Sequence, residues 1–203
     1  MFLVVGLGNP GRQYQGNRHN VGFRIVEQLA ARAGATSPRD KHGGELSDIT
    51  LGGERVILCK PMEFMNVSGE VVRHVAGFHK IPAARTIVVH DELDLPFARL
   101  KLGVGGGAGG HNGVRSVIAD LGTPDFVRVR VGIDRPPPAW KGADYVLANF
   151  TGAEQKALPA LIDLAADAVE EIVTRGLPAA MNKFNTKPKS TSDKKTGTAG
   201  GDA

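Results

Sequence analysis

The sequence predicts a single α/β domain, built as a twisted mixed β-sheet with helices packed around it. Apolar β-type segments alternate with segments of helical periodicity along the whole chain. Two β-type runs, DITL (48–51) and RVILC (55–59), flank a Gly-Gly turn, which is typical of an antiparallel hairpin. At 203 residues, the chain has the length of one domain with a possible appendage.

The other elements are predicted from the spacing of their apolar residues. In chain order they are a buried strand at 2–7, a helix through Val21, Ile25 and Leu29, a helix from about Ser68 through Phe78, a strand at 86–91, a short run at 97–102, a helix through Val114, Val117, Ile118 and Leu121, and a strand at 126–133. FVRVRVGI (126–133) alternates apolar and basic residues, so we predict a half-exposed strand.

A long final helix is predicted through Leu158 and Val173, with Gly176 as its stop. Thr151 and Glu154 resemble a capping box. A helix that begins there carries Pro159 in its interior, where proline is unfavourable, so the pattern leaves the start of this helix open.

The charge divides between a body and a tail. The whole chain carries 25 basic and 21 acidic side chains, a formal charge of +4. Five lysines and two aspartates from Lys183 onward account for +3 of it. We therefore predict a folded domain at 1–185 and a disordered tail at 186–203, rich in Lys, Gly and Thr. Inside the body, residues 99–141 form the one strongly basic stretch.

Several classes of protein are excluded by composition. No apolar stretch approaches the roughly 18 residues that a membrane-spanning helix needs, so we expect no membrane partner. The apolar start has no basic segment before it, which argues against a signal peptide. Cys59 is the only cysteine, so neither an internal disulfide nor a thiolate metal cluster is expected. We expect a cytoplasmic protein.

The segment Gly6–Gly11 (GLGNPG) matches the dinucleotide-binding fingerprint in its letters. That fingerprint requires a helix to begin at the glycines, because the amides of the helix hold the pyrophosphate. Here Pro10, Gly11 and Gly16 interrupt, and helical periodicity begins only near Val21. The segment therefore predicts a polar loop at a strand end, and no nucleotide cofactor.

Three asparagines each precede a predicted helix: Asn9 after the first strand, Asn66 after the hairpin, and Asn112 after a glycine run. Each could be only a helix N-cap. An asparagine amide is also both a donor and an acceptor without charge, so several of them together suit a backbone amide or an ester carbonyl. The pattern leaves both interpretations open.

His19 is the candidate general base, and it needs a carboxylate that holds its ring. The strand at 86–91 ends in His90-Asp91, and Asp91 is the first acid beyond the strand. A metal site that gathers His19, Asp91 and His111 is the alternative, although HExxH spacing is absent and no metal is predicted. Neither a nucleophilic serine motif nor an exposed cysteine is evident, so a hydrolase here would use water directly.

Seven of the eleven positions from Gly103 to Gly113 are glycine. Such a segment is either a mobile loop whose bare backbone approaches a bulky ligand or a connector without a role. Basic side chains flank it at Lys101, Arg115, Arg128 and Arg130. A cluster of this kind can hold a phosphate group, although basic residues on a strand are also found on ordinary solvated faces.

Five segments together resemble the bacterial peptidyl-tRNA hydrolase family: GLGNPGRQYQGNRHNVG (6–22), KPMEFMNVSG (60–69), HDELDLP (90–96), GGAGGHNG (106–113) and RVRVGIDRP (128–136). They occur in the family's order and extend over most of the chain. The resemblance implies a monomeric three-layer α/β/α enzyme that acts without a cofactor. Its reaction would be hydrolysis of the ester between a peptide and the terminal ribose of tRNA.

The resemblance also implies roles for individual residues. His19 would be the general base, Asp91 would hold and polarise it, and Asn9 would distinguish N-blocked substrates. The substrate-binding positions it implies are Tyr14, Phe64, Asn66, Asn112, Lys101, Arg130 and His111. Of these, Asn66 and Asn112 would lie near the ester, Tyr14 and Phe64 would contact tRNA, and Lys101 and Arg130 would hold a tRNA phosphate.

Overall fold

A computed structural model describes residues 1–185, and the tail predicted at 186–203 lies outside the described residues. One sheet of seven strands organises this part of the chain. The strands are β1 (Phe2–Gly6), β2 (Arg39–Lys41), β3 (Gly44–Leu51), β4 (Glu54–Pro61), β5 (Thr86–Glu92), β6 (Leu100–Val104) and β7 (Val127–Gly132). The helices are α1 (Val21–Arg32), α2 (Ser68–His79), α3 (Asn112–Leu121), α4 (Gly142–Val146), α5 (Gly152–Arg175) and α6 (Leu177–Phe184).

The sheet is parallel at its centre and antiparallel at both margins. Its order is β2-β3-β4-β1-β5-β7-β6. The four central strands β4, β1, β5 and β7 run parallel, whereas β2 and β3 at one margin and β6 at the other pair antiparallel. The mixed sheet and the 48–59 hairpin are thus confirmed. The second antiparallel margin is the β6–β7 pair, whose strands are joined by the glycine run and α3.

Helices cover both faces of the sheet, as the α/β prediction requires. On one face, Leu3 and Val88 of the strands pack in a core with Val72 of α2 and Val117 of α3. On the other face, a second core contains Val4 and Ile87, helix α1, and the long helix α5. Because parallel strands end at the same edge, β1, β4 and β5 deliver their following loops to one place.

Close contact between α1 and the sheet explains two of the glycines in the first motif. A Cβ on Gly6 would lie 2.2 Å from the carbonyl oxygen of Gly22, and a Cβ on Gly8 would lie 2.7 Å from the Phe23 ring. These glycines therefore allow the first turns of α1 to approach the strand end. They are packing glycines, which bring α1 against the end of β1.

Two predictions about individual elements are resolved by the structure. Helix α5 begins at Gly152 with a complete Thr151–Glu154 capping box, and Pro159 lies inside it. The predicted half-exposed character of 126–133 is wrong: β7 is an interior strand between β5 and β6, and Arg128 is only 1% exposed. The alternation of basic and apolar residues in β7 therefore does not indicate a solvent-exposed face. The sequence analysis did not predict β2, α4 and α6, which are short.

Candidate active site

The loops after β1, β4 and β5 meet at the carboxyl edge of the sheet. A short 3-10 helix, Arg18–Asn20, carries His19 directly before α1, and a second one, Met65–Val67, leads from β4 into α2. Asp91 lies near the end of β5 itself. Chain segments that are 72 residues apart are thereby placed in hydrogen-bonding distance.

His19, Asp91 and His111, which we call the hydrolytic cluster, form one hydrogen-bonded group. Nδ1 of His19 lies 2.9 and 3.0 Å from the two carboxylate oxygens of Asp91, so it donates to this acceptor. Nε2 of His111 lies 3.0 Å from Oδ1 of the same carboxylate. The proton on Nδ1 of His19 leaves Nε2 of that ring as the lone-pair nitrogen. The predicted His19–Asp91 pair is present, and a second histidine joins it.

His111 also caps a helix, and this role determines which of its two ring nitrogens carries the proton. Its Nδ1 accepts hydrogen bonds from the backbone N–H groups of Gly113 (3.1 Å) and Val114 (3.3 Å) at the start of α3. An accepting Nδ1 leaves the ring proton on Nε2, which donates it to Asp91. Both nitrogens are therefore engaged, and only the face and edge of the ring are available to a ligand.

Buried charge in the cluster is balanced by its partners. Burial of Asp91 opposes ionisation, but the charges and hydrogen bonds of His19 and His111 outweigh it and hold the pKa of the carboxyl well below its usual range. His90, beside Asp91, is also buried, and desolvation lowers the pKa of its imidazole to about 3. Asp91 is thus an anion at neutral pH, and His90 is neutral.

The alternative chemistries suggested by the sequence fit this site poorly. His19, Asp91 and His111 place three potential ligand atoms within 4.8 Å of one another, as a metal site would. A metal would require the lone pair of His111 Nε2, yet two backbone donors at Nδ1 keep the proton on that atom. Cys59 is fully buried, and burial raises the pKa of its thiol to about 12, which disfavours a thiolate nucleophile.

The side chain and the backbone of Asn9 are both held by hydrogen bonds. Its Oδ1 accepts from the backbone N–H of Met65 at 2.8 Å, which leaves the amide NH₂ for other partners. The side chain of Asn20 clamps the Asn9 backbone from both sides, accepting from its N–H and donating to its carbonyl, each at 2.9 Å. Asn20 is a positioning residue that the sequence analysis did not assign. Its only signal was adjacency to His19.

The N-cap interpretation of the asparagines is not supported. Helix α3 is capped by His111, whereas Asn112 is its first residue and its Oδ1 accepts from Arg115. Asn66 lies exposed in the short 3-10 helix before α2. Ser68, the first residue of α2, donates its hydroxyl backward to the Met65 carbonyl at 2.9 Å. The NH₂ groups of Asn66 and Asn112 therefore make no hydrogen bond within residues 1–185.

Arg18 anchors the segment that carries His19. Its side chain is 4% exposed, and Nη2 donates to Glu154 at 2.7 Å. Nη1 donates to the carbonyls of Ala148 and Asn149, beyond α4, at 3.3 and 2.9 Å. The guanidinium also lies 4.1 Å from the centre of the Tyr145 ring. The sequence analysis missed this anchor because its partners are more than 120 residues away.

A cavity of about 220 Å³ opens above the hydrolytic cluster. Its lining includes all three cluster residues and Asn112 on the polar side, with Leu93 and Val146 among the apolar residues that complete it. Of the predicted site residues, the structure thus brings His19, Asp91, His111 and Asn112 to one cavity. Asn9 reaches the same edge of the sheet through its contacts with Asn20 and Met65.

The remaining predicted residues surround this centre without lining the cavity. Lys101 on β6 lies directly opposite Arg130 on β7, and Arg130 lies opposite His90 on β5. These three residues form a row that extends from His90, beside Asp91, to β6 at the sheet margin. We call Lys101 and Arg130 the basic surface. Phe64 is 58% exposed beside the Met65–Val67 helix, and Tyr14 is half-buried in the loop after β1.

Comparison with known proteins gives a consistent result. A family model described as peptidyl-tRNA hydrolase matches residues 3–193. The peptidyl-tRNA hydrolase of Pseudarthrobacter chlorophenolicus is 51% identical over 186 residues, covering 91% of this chain and 95% of the relative. That of Frankia alni is 50% identical over 184 residues, covering 91% and 93% of the two chains.

Solved structures agree with the sequence relatives. The crystal structure of peptidyl-tRNA hydrolase from Acinetobacter baumannii superposes with a TM-score of 0.85 at 39% identity, covering 91% of this chain and 94% of that one. The family model, the relatives and the shared three-layer fold lead to one conclusion: the chain belongs to the peptidyl-tRNA hydrolase family, whose reaction is hydrolysis of the ester in peptidyl-tRNA.

Proposed function

We propose that His19 is the general base that activates the hydrolytic water. The observation that carries this assignment is the 2.9 Å contact between Nδ1 of His19 and the buried carboxylate of Asp91. It leaves Nε2 free to accept a proton from water. Asp91 then stabilises the imidazolium that forms, because a fixed negative charge beside the ring favours its protonated state.

His111 supports this step through Asp91. By donating to Oδ1 of the carboxylate and accepting from the first turn of α3, it joins Asp91 to a helix N-terminus. The carboxylate is therefore held by two imidazoles and cannot rotate freely away from His19. The ring of His111 also forms part of the cavity wall, so it contacts substrate through its carbon edge.

The uncharged amides bind the ester and the peptide. The free NH₂ of Asn9 is a donor suited to the carbonyl of the last peptide bond of the substrate, a group that free aminoacyl-tRNA lacks. The NH₂ of Asn112, which lines the cavity, would donate to the ester carbonyl as negative charge develops on its oxygen, and that of Asn66, before α2, would bind the substrate near the ester. Helices α1, α2 and α3 all begin at this edge, and their N-termini favour the same negative charge.

The tRNA is held outside the cavity. Lys101 and Arg130 form the basic surface and bind a tRNA phosphate, since each is a cation without an ion-pair partner among residues 1–185. Tyr14 and Phe64 offer aromatic surface to the acceptor end, where unpaired bases can stack. The reaction needs no cofactor in this scheme, because water is the nucleophile and side chains move the proton.

The test of this proposal is hydrolysis of N-acetyl-aminoacyl-tRNA by His19→Ala. We expect kcat to fall by roughly 10²–10⁴, the usual contribution of a general base, while tRNA affinity is retained. His74→Ala, which removes an exposed histidine of α2, is the matched control and should keep wild-type turnover. Full hydrolysis by the His19 variant would exclude the assignment.

Discrimination by Asn9 is tested separately, by comparing blocked and unblocked aminoacyl-tRNA. Asn9→Ala should lower kcat/KM for the blocked substrate and leave the already slow unblocked reaction unchanged, so the ratio between them should shrink. An unchanged ratio would remove Asn9 from this role.

We also propose that the enzyme acts as a monomer in the cytoplasm, where ribosomes release its substrate. Both hydrophobic cores and every residue of the hydrolytic cluster come from one chain. No helix within residues 1–185 has the length and apolar character that a membrane span requires. Light scattering coupled to size exclusion should give the mass of one chain, and a dimer mass would contradict the monomer.

A further inference from the structure

Arg128 on β7 is a buried arginine with an unusual set of partners. It is 1% exposed, and its guanidinium donates to two backbone carbonyls of the glycine run, those of Gly106 and Gly107, each at 2.6 Å. Its guanidinium carbon lies 4.8 Å from the centre of the Phe126 ring. Within residues 1–185 no carboxylate forms an ion pair with it. The sequence groups it with Lys101, Arg115 and Arg130 in a basic cluster that either holds a phosphate or lies on a solvated face.

Burying this cation without a counter-ion is unfavourable. A charge removed from water loses its solvation, and carbonyl dipoles replace only part of it. Desolvation, and then the positive charge of Arg130, both lower the pKa of the Arg128 guanidinium. An apolar side chain would cover this part of the sheet without that cost. It could not, however, hold two carbonyls at once in the fork geometry of a guanidinium.

The two carbonyls belong to the part of the glycine run that lies beside the basic surface. Gly105 and Gly106 have φ values of +71° and +88°, which only glycine adopts easily, so the backbone here follows a specific path. A Cβ placed on Gly106 would lie 3.7 Å from a terminal nitrogen of Arg130. The glycine run therefore passes between the two arginines, bonded to Arg128 and adjacent to Arg130.

The charges of this region have a direct consequence for ligand binding. Arg128 and Arg130 lie two residues apart on the same face of β7, and Lys101 lies opposite Arg130. The three cations repel one another, and a phosphate that binds at Lys101 and Arg130 relieves the repulsion. Because Arg128 is fixed by the loop, its charge cannot move away.

We propose that Arg128 is a positioning residue for phosphate binding: it fixes Gly106 and Gly107 beside Arg130 and supplies a permanent positive charge beneath the basic surface. This inference rests on the proposed role of Lys101 and Arg130. It assigns Arg128 no contact with the substrate. Substitution of Arg128 should therefore weaken the binding of tRNA and leave the cleavage of the ester nearly unchanged.

The experiment compares two substrates: N-acetyl-aminoacyl-tRNA, and N-acetyl-aminoacyl-adenosine, which has the ester but no phosphate. Arg128→Lys retains the charge, but an ammonium group lacks the fork that holds both carbonyls. We expect it to raise KM for the tRNA substrate roughly five- to tenfold. For the adenosine substrate, kcat/KM should fall less than about twofold. A purely structural role would lower both reactions together and would overturn the proposal.

A second variant reaches the same loop without changing any charge. Gly106→Ala introduces a side chain at a φ of +88° beside Arg130, so it should displace the loop and raise KM for tRNA in the same way. It keeps the proposal testable if Arg128→Lys does not fold. Arg175→Gln, an exposed arginine at the end of α5, is the matched control for arginine loss and should change neither reaction.

Arg130→Gln separates this inference from the proposed function on which it rests. If Arg130→Gln raises KM for tRNA and neither Arg128→Lys nor Gly106→Ala does, the positioning role is wrong and the basic surface stands. If Arg130→Gln has no effect on KM, the phosphate site itself is wrong, and the positioning role is overturned with it. An increase in KM for all three variants, limited to the tRNA substrate, supports both the phosphate site and the positioning role of Arg128.

Discussion

The hydrolytic cluster and the basic surface lie one strand apart, yet they are built in opposite ways. His19, Asp91 and His111 form a buried group in which the one negative charge is shared by two imidazoles. Lys101 on the marginal strand β6 and Arg130 on its neighbour β7 have no ion-pair partners among the described residues, and a buried arginine without a counter-ion lies two residues before Arg130. Chemistry requires fixed geometry in low dielectric, whereas capture of a polyanion requires charge that remains available.

This difference predicts that the two regions affect separate kinetic constants. Damage to the cluster should lower kcat and leave the salt dependence of binding unchanged. Damage to the basic surface should raise KM in a manner that depends on ionic strength.

The largest effect is expected from Asp91→Asn. An amide NH₂ in place of the carboxylate oxygen that faces Nδ1 of His19 disfavours the proton on that nitrogen, so Nε2 becomes protonated and cannot act as a base. We expect kcat to fall roughly 10²–10⁴-fold with little change in tRNA affinity. Single-turnover hydrolysis together with a direct binding measurement tests this. An equally large loss of tRNA affinity would contradict the assignment of catalysis and tRNA binding to separate regions.

Arg18→Met should give the next effect, because it removes the anchor of the His19 segment. The partly buried carboxylate of Glu154 would lose its cation and the carbonyls of Ala148 and Asn149 their donor, and leaving such acceptors unpaired typically costs about 1–3 kcal/mol. We expect a loss of unfolding free energy of that order in urea titrations, with a lower kcat under conditions where the variant is folded. Glu154→Gln retains an acceptor for Arg18 and should cost less. Equal losses for both variants would contradict the ion-pair explanation.

A pH effect on stability should arise chiefly from His90, the buried histidine beside Asp91. His90 has a folded pKa of about 3 against 6.5 in its ordinary state, so below pH 6.5 the unfolded chain takes up a proton that the folded chain does not. Stability therefore falls with decreasing pH, by about 2 kcal/mol between pH 7 and pH 5. Asp91 adds no slope there, because the window lies above its ordinary pKa of 3.8.

His90→Asn provides the comparison for this effect. Its side chain keeps a donor for the Asp91 carbonyl, which Nδ1 of His90 contacts at 2.7 Å, but it does not titrate. Denaturation curves at pH 7 and pH 5 should show a smaller decrease for the variant than for the wild type. Identical decreases would assign the acid sensitivity to other groups.

Lys101→Gln should have a moderate effect, visible chiefly through salt. Loss of one phosphate contact should reduce the slope of log KM against log salt concentration by about 0.7–0.9 and leave kcat unchanged. Lys156→Gln, at an exposed position of α5, removes the same charge far from the sheet margin. A change in slope as large for Lys156 would indicate a general charge effect.

The smallest effect is expected from removal of residues 186–203. The cores and the cluster lie within residues 1–185, so turnover at physiological salt should change less than about twofold. Kinetics of the shortened and full-length chains at two salt concentrations test this expectation. A large increase in KM would extend the basic surface to the lysines of this segment.

The sequence by itself determined the succession of strands and helices along the chain and the chemical types of the residues at the carboxyl edge of the sheet. Local apolar periodicity specifies an element, and a polar residue after a strand is delivered to the edge whatever the rest of the fold does. His19, Asp91 and Asn9 are singled out as candidate site residues in this way. Their motifs also matched a family, which supplied the substrate.

Only the tertiary structure decided how the polar groups are paired. His111 holds Asp91 because α3 begins beside β5, and Arg18 finds Glu154 across 136 positions of the chain. Arg128 has the same local pattern as Arg130, yet a loop folds over one and leaves the other partly open. A side chain's type sets the bonds that it can make, but its burial and partners depend on long-range contacts that periodicity does not encode.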